Sequence, residues 1–364
     1  MYKVIIFGTG RAGSTVNNSL KDEVHVMAFA DNDETKWGRE YNGKKIIPPN
    51  EISRYDFDFI LIGSQYNEEI YNQLLKLKVD KNKIFQFYKF IDFGWNYVNW
   101  CLNNAINDRE NIESLITGIS YAHFGFSKDF CVKETVSLAN SSQDLYYDYH
   151  LIEYLLDNYK FNKLKTVIIG ISYYSFQYDM SLSAMRNKVP LYYETIGLKH
   201  NAIDINKLLE GKDETRAIGK IIFNVNERGN AIIKWDIPKI NSEDKIIRNS
   251  AKKQADIDCN KDYPETVKEN IEIFKNYLLY LKKRGINPVV VIFPAHKDYT
   301  KHFSLRIEKE FLNIINETKK SIEFQYLDYF RSSEFSEDEY FDYTHLNPKG
   351  AEKFTKILNE VIEW

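Results

Sequence analysis

Near the start of the chain a short apolar, β-branched run, Lys3–Phe7, ends in Gly8-Thr9-Gly10-Arg11-Ala12-Gly13, and the residues after it, Ser14 to Leu20, can form a helix. This order constrains the fold more than any other feature. Residues without bulky side chains let the backbone turn tightly and approach a phosphate, and the helix start supplies N–H donors and a positive dipole end. A second apolar run, His25–Ala30, ends at Asp31, 18 residues after Gly13. There a dinucleotide-binding unit places the acid that bonds a ribose hydroxyl. Phe57–Ile62 and Ile84–Phe87 read as further strands, and Glu68–Leu77 carries Ile70, Leu74 and Leu77 at helical spacing. Such alternation of strand and helix builds a parallel sheet covered on both faces.

Gly8, Gly10, Gly13 and Asp31 are the candidate ligand residues of this first unit, which is Rossmann-like. A glycine turn that binds nothing is the plainer alternative. Tyr41-x-x-x-Lys45 has the spacing of a dehydrogenase pair but straddles an Asn42-Gly43 turn signal, so its side chains would not share a helix face. The stretch Ala28–Gly43, with Phe29-Ala30-Asp31-Asn32-Asp33 and Trp37-Gly38, resembles small nucleotide- or sugar-nucleotide-binding domains found beside enzymes of surface-polysaccharide synthesis. The resemblance implies a nucleotide, sugar nucleotide or NAD as ligand.

Beyond a Trp-, Asn- and Tyr-rich stretch at 89–110, apolar runs recur, each closing in small or polar residues. Ser114–Gly118 leads into Ile119-Ser120, and Val136–Asn140 leads into Ser141-Ser142-Gln143-Asp144. Thr166–Ile169 leads into Gly170-Ile171-Ser172, and Pro288–Phe293 leads into Pro294-Ala295-His296. Near the end stands Asp342-Tyr-Thr-His345-Leu-Asn347-Pro348-Lys-Gly350. Ligands bind at the carboxyl ends of strands in parallel α/β sheets, so these segments point to one site.

The chemistry of the residues agrees. A serine hydroxyl is a weak nucleophile until a base takes its proton. An imidazole, titrating near 6.5 in isolation, suits that task, and a carboxylate beside it fixes tautomer and ring orientation. Ser120, His345 and Asp342 are the candidate catalytic residues. Ser120 could instead serve only as a helix cap, and Ser172 is a rival because Gly170-Ile-Ser-Tyr repeats Gly118-Ile-Ser-Tyr. Asn347 can cap a final helix whose buried stripe is Ala351, Phe354, Leu358 and Val361. His123 and His296 read as structural or substrate-contacting, and His25 as a polar strand position. The clusters Tyr146-Tyr147-Asp148-Tyr149 and Tyr173-Tyr174 could stack on a sugar, with core packing the commoner explanation.

Order and spacing over about residues 110–364 resemble the SGNH, or GDSL-like, hydrolases. In that family the first block is Gly-Asp-Ser with a later Gly; here it stands as Gly118-Ile119-Ser120 with Gly125. The last block, Asp-x-x-His before a helix, matches Asp342-x-x-His345. The resemblance puts Ser142 where a second-block backbone N–H faces the oxyanion, and Ser172 where an Asn amide usually does. These departures resemble the divergent branch that includes the DltD-like and alginate-acetylation proteins. The implied fold is a flavodoxin-like, three-layer α/β/α domain. The implied activity is an esterase or O-acyltransferase, usually acetyl, acting on a carbohydrate or sugar-nucleotide substrate of surface-polysaccharide metabolism.

The expected organisation is therefore α/β throughout. It comprises a Rossmann-like domain over 1–90, a linker helix over 91–110 and an SGNH-like domain over 111–364. Residues about 180–260 form an insertion with a possible Ile221–Phe223 strand and a Gly229-Asn230 turn before Ala231–Trp235. A clear helix comes next, with Val267, Ile271, Phe274, Leu278 and Leu281 on one face and Gly285 after its basic end.

Forty-nine Lys and Arg against 52 Asp and Glu leave a net charge of −3, without the basic excess of a nucleic-acid binder. The three cysteines, Cys101, Cys131 and Cys259, are far apart, which fits neither a disulfide scaffold nor a metal site, and no metal is expected. The opening Met-Tyr-Lys-Val-Ile-Ile-Phe-Gly reads as a strand rather than a signal peptide, and runs such as Val289–Phe293 are too short to span a bilayer. The expected location is cytoplasmic. Two alternatives stay open: a catalytically decayed binding or assembly protein, and a nucleotide-dependent oxidoreductase led by the first domain.

Overall fold

The computed structural model describes residues 1–227, 230–234 and 245–364, with side chains in the last stretch from Asn249 onward. It divides into two compact units, Met1–Tyr97 with Ser181–Glu194 and Asn201–Ile237, and Val98–Met180 with Thr195–His200 and Pro238–Trp364.

The first unit begins β1 (Tyr2–Phe7), α1 (Arg11–Ser19), β2 (Val24–Ala30), β3 (Glu40–Tyr41), β4 (Lys44–Ile47), β5 (Phe59–Ile62), α2 (Asn67–Lys76), β6 (Ile84–Gln86) and α3 (Phe87–Gly94). The strands lie in the order β3-β4-β2-β1-β5-β6, parallel except for the β3–β4 hairpin. That hairpin carries Tyr41 and Lys45, which removes them from any helical pairing. Strand β1 shows why the sheet is buried on both sides. Val4 and Ile6 enter one core with Phe29, Leu61 and Phe85, while Ile5 and Phe7 enter the other with Ala28, Ile60 and Ile62.

After Trp95 the chain continues through α4 (Tyr97–Asn107), β7 (Ser114–Gly118), α5 (Ser120–Gly125), β8 (Thr135–Ser137), α6 (Leu145–Asn158) and β9 (Thr166–Ile171). Helices α7 (Val189–Ile196), α8 (Ile205–Leu209) and α9 (Lys212–Ile222) come after it. In place of the expected Ile221–Phe223 strand, Ile221 and Ile222 end α9, and Phe223 follows in extended backbone with a single antiparallel bridge to Leu20. Ile222 and Phe223 pack into the first unit's core, and Phe223 stacks on Phe90 of α3 with ring centroids 5.6 Å apart. A short β-branched run cannot announce whether it is strand or helix, and here the upstream i, i+4 spacing of Ile218 and Ile222 decides. Gly229 and Trp235, in the expected turn and run, lie outside the described residues. Val225 and Ala231 form an antiparallel bridge.

The second unit resumes with α10 (Lys245–Cys259), α11 (Pro264–Lys283), β10 (Asn287–Ile292), α12 (Lys297–Thr300), α13 (Leu305–Lys319), β11 (Gln325–Asp328) and α14 (Pro348–Val361). Its sheet is wholly parallel, in the order β11-β10-β9-β7-β8. Counted from β7 this is the 2-1-3-4-5 flavodoxin-like order, whose direction reverses between β7 and β9. Both units are thus α/β. The expected helix after the insertion is α11, with Phe274, Leu278 and Leu281 buried. No helix among the described residues is long and apolar enough to cross a membrane.

Candidate active site

Strand β7 delivers Ser120 to the carboxyl edge at the reversal point of the second sheet. Gly118, at φ 141°, makes this possible, since a Cβ there would lie 2.2 Å from the Gly170 carbonyl oxygen of β9. A Cβ on Gly170 would in turn lie 2.4 Å from Ala122 Cβ. The two glycines therefore let β7, β9 and α5 close on one another, with Ser120 at the first residue of α5, its residue half-buried.

The other half of the site comes from the loop before α14. Phe341 N–H donates to the His345 carbonyl at 2.8 Å and Tyr340 pairs with Leu346, so residues 341–345 form a closed loop. Asn347 anchors its exit: Oδ1 accepts from the Lys349 and Gly350 N–H groups, and Nδ2 donates to the carbonyls of Asp338 and Tyr340. Within the loop Asp342 is buried. Its Oδ1 accepts from Thr344 N (2.9 Å), Thr344 Oγ1 (2.8 Å) and His345 N (3.0 Å). His345 Nδ1 lies 3.0 and 3.1 Å from the two carboxylate oxygens, and Nε2 lies 2.8 Å from Ser120 Oγ. The structure thus joins Ser120, His345 and Asp342 across 225 residues of sequence.

The two residues expected near an oxyanion both follow strands of the second sheet. Ser142, in the loop after β8, is left-handed at φ 68°, and its carbonyl accepts from Tyr178 Oη at 3.0 Å. The loop is braced by Gln143, whose amide reaches Leu138 O and Asp148 Oδ1, and by Asn140 N–H on Gly118 O. Ser172 lies just after β9, is buried, and its Oγ lies 3.2 Å from Ser175 Oγ. Helix α5 begins at Ser120 without a side-chain cap, and the Ala122 and His123 N–H groups donate to the Ile119 carbonyl at its start.

Beside Ser142, Asp144 caps α6 through Tyr147 N–H and accepts from Met180 N–H. Burial pushes its carboxyl up to about 6. Asp144, Asp179 and His200 bring ligand-type atoms within 4.8 Å of one another. His200 Nδ1 lies 3.3 Å from Asp179 and Nε2 lies 3.4 Å from Glu269. Burial disfavours its proton, yet the bond to Asp179 and the surrounding carboxylates raise its pKa overall. Tyr146 stacks on the His200 ring, centroids 3.9 Å apart. Of the other histidines, His123 Nδ1 lies 2.9 Å from the Ala139 carbonyl, His296 is buried and caps α12, and His25 is exposed on β2.

In the first unit the glycine turn is as expected, with Gly13 so close that a Cβ would lie 2.0 Å from the Gly8 carbonyl oxygen. A Cβ on Gly10 would meet nothing within 4 Å. Asp31 is already engaged. Oδ2 accepts from Thr9 N (3.0 Å), the Thr9 hydroxyl and Lys36 Nζ (3.1 Å), and Oδ1 accepts from Asp33 N (2.9 Å). Burial alone would raise its pKa, but these donors hold it below the usual range. Lys36, unremarked in the sequence, also lies 3.1 Å from Thr9 Oγ1 and brings a cation to the turn. Thr344, Tyr121 and Phe124 were likewise missed. The rings of Tyr121 and Phe124 lie 5.4 and 5.1 Å from that of His345.

The fold and site together define an α/β unit with a serine–histidine–aspartate arrangement at its switch point. Residues 219–362 match the DltD protein family, which gives the C-terminal region a DltD-family domain; the match contains Asp342 and His345. Residues 1–85 match the family described as C2185-like, N-terminal. Among solved structures, the UDP-D-quinovosamine 4-dehydrogenase of Vibrio fischeri is 28% identical over 23% of this chain and 76% of its own, with a TM-score of 0.20. Among curated proteins there is no match.

Proposed function

We propose that the second unit is an SGNH-like serine acyltransferase or esterase that moves or removes an acyl group, acetyl in the first instance, on a carbohydrate or activated sugar of surface-polymer metabolism. The observation that carries this reading is the contact of Ser120 Oγ with His345 Nε2, with Asp342 on the opposite ring nitrogen. In the proposed reaction Ser120 Oγ attacks the acyl carbonyl carbon as its proton passes to Nε2. The oxyanion takes hydrogen bonds from the Ser120 and Ser142 N–H groups. Collapse expels the alcohol, which takes the proton from His345, and leaves an acyl-Ser120. A second alcohol or water, deprotonated by His345, then releases the acyl group. The DltD match supports the acyl-transfer class, and the polymer setting is that of the family.

For the first unit we propose a phosphate-bearing ligand, a nucleotide or sugar nucleotide, at Gly8, Gly10 and Gly13. The open space over Gly10 and the Lys36 ammonium fit a phosphate. The Asp31 Oδ2 atom is already taken by Thr9 and Lys36, so a ribose diol, as in NAD, would have to use Oδ1, which accepts from Asp33 N. Three free thiols agree with a cytoplasmic location, which subcellular fractionation tests.

The principal test is covalent labelling of the folded chain by a fluorophosphonate, together with turnover of small acetyl esters and acetylated sugars. Both should vanish in Ser120→Ala and collapse in His345→Ala. A folded protein that resists the probe would give way to a binding or assembly role, a reading favoured by Ile119 in the Asp position and by Ser172 Oγ beside Ser175. Melting shifts with UDP-sugars, CDP compounds, NAD and coenzyme A test the ligand of the first unit.

A further inference from the structure

Behind His345 a polar chain runs through the interior. Tyr121 is the next residue after the candidate nucleophile and sets its ring against the His345 imidazole. Its hydroxyl donates to Tyr299 Oη at 3.4 Å, and Tyr299 Oη donates to Asp258 Oδ2 at 2.9 Å. Gln254 Nε2 adds a second donor to the same oxygen at 3.0 Å. All three chain members are buried: Tyr121 is 4% exposed, Tyr299 0% and Asp258 7%. Such burial is costly. A carboxylate and two hydroxyls taken out of water lose free energy unless each finds a partner, and phenylalanines would fill the same space without that cost. Here both hydroxyls point the same way, toward the Asp258 carboxyl group, so each bond polarises the next. The chain ties α5, which carries Ser120, to α12 and α10.

We propose that Asp258 is a positioning residue for the Ser120–His345 pair: its carboxylate orients Tyr299, Tyr299 orients Tyr121, and the Tyr121 ring holds the His345 imidazole in line with Ser120 Oγ. Phe124 supports the imidazole with a second ring contact, edge to face. The chain touches no reacting atom. It fixes the ring that does, and near-attack geometry is sensitive to displacements of about 1 Å. The inference rests on the Ser120 reading, deepens it, and adds a residue that no motif flags.

The test uses the full chain with two readouts, the second-order rate of fluorophosphonate labelling and the NMR resonances of the His345 ring, which the Tyr121 ring current shifts. Tyr299→Phe keeps the ring and breaks the chain. Asp258→Ala removes its end. Asp258→Asn keeps an oxygen for Tyr299. Labelling is expected to fall about tenfold in Tyr299→Phe and Asp258→Ala, equivalent to about 1.4 kcal/mol. Asp258→Asn should stay within about threefold of the parent, and the double variant Asp258→Ala/Tyr299→Phe should be no slower than either single one. The His345 resonances should move in the slow variants and not in Asp258→Asn. Parent-like labelling and unmoved resonances in folded Tyr299→Phe would overturn the proposal, as would an Asp258→Asn variant as slow as Asp258→Ala. If the parent resists the probe, the Ser120 reading fails, and the ring resonances alone then decide whether the chain positions His345.

Discussion

Replacing Asp342 by asparagine isolates the charge behind His345. In the structure Oδ1 serves four donors, from Thr344 N, Thr344 Oγ1, His345 N and His345 Nδ1, at 2.8–3.0 Å, and Oδ2 lies 3.1 Å from Nδ1. An asparagine placed with its oxygen at the Oδ1 position keeps these acceptor contacts, so the loop should keep its shape. What it loses is the negative charge opposite the imidazolium formed during acyl transfer. A hydrogen bond to a charged partner is worth about 1.5–3 kcal/mol, and 1.36 kcal/mol is tenfold in rate, so charge alone predicts a loss of about 10- to 150-fold. If the new amide N–H₂ faces Nδ1, the ring adopts the other tautomer, Nε2 carries hydrogen toward Ser120, and the loss reaches about 10⁴-fold. The assay is the fluorophosphonate labelling rate at neutral pH, with melting temperature as the control. Thr344→Val provides a second check, since it removes one donor to Asp342 and keeps the carboxylate, and should cost no more than about tenfold. Asp342→Asn labelling within threefold of the parent, in folded protein, would contradict the role given to the charge.

Gly170→Ala should lower the denaturant midpoint by the equivalent of about 1–3 kcal/mol, because its Cβ meets Ala122 Cβ and Phe293, and it should slow labelling by pushing on α5. Parent-like stability would contradict the close approach of β9 and α5. Asn347→Ala should cost about 1 kcal/mol of stability by uncapping α14, and should also slow labelling; an effect on stability alone would separate the cap from the site. For Asp144 the folded pKa, pushed to about 6 by burial, exceeds the ordinary value near 3.9. The folded state therefore binds the proton more tightly, and stability should fall as pH rises through this window, by at most about 1.4 kcal/mol per pH unit. Denaturation of Asp144→Asn between pH 4 and 6 should give a flatter stability curve; an unchanged slope would remove Asp144 as its source.

The parallel α/β organisation was legible because each strand writes its own ending. Gly118-Ile119-Ser120, Gly170-Ile171-Ser172 and Asp342-x-x-His345 are local strings, and parallel strands place such endings on one edge. What stayed hidden depends on partners distant in sequence. Where the end of α9 docks depends on Phe87 and Phe90, more than 130 residues upstream of Ile222 and Phe223, and no local pattern reports that. Lys36 is one lysine among many until folding sets it over Thr9. Thr344 stands inside the motif, where a hydroxyl next to the histidine was a usable signal. Asp258 and Tyr299 had none, since their meaning comes only from meeting Tyr121.

The repeated Gly-Ile-Ser-Tyr tetrapeptide shows how far identical local strings can part in a fold. Both copies end neighbouring central strands, and their backbones touch where Gly118 meets Gly170. The fates of the two serines diverge because the residues downstream of each differ. After Ser120 the residues Tyr-Ala-His-Phe form α5 with Ala122 and Gly125 turned inward, small enough to sit on Gly170 and Phe293, and the half-buried hydroxyl is left facing Nε2. After Ser172 the chain turns through Tyr173 and Tyr174 into a tight helical turn, and Ser175 brings its hydroxyl to the same neighbourhood. It accepts from Ser172 N–H at 2.9 Å and lies beside Ser172 Oγ. A serine whose hydroxyl already has a serine partner and only 4% exposure has neither a base to take its proton nor room for an acyl group. The same four residues therefore yield one hydroxyl poised against a base and one built into the wall behind it, and a probe adduct on Ser172 rather than Ser120 would reverse that assignment.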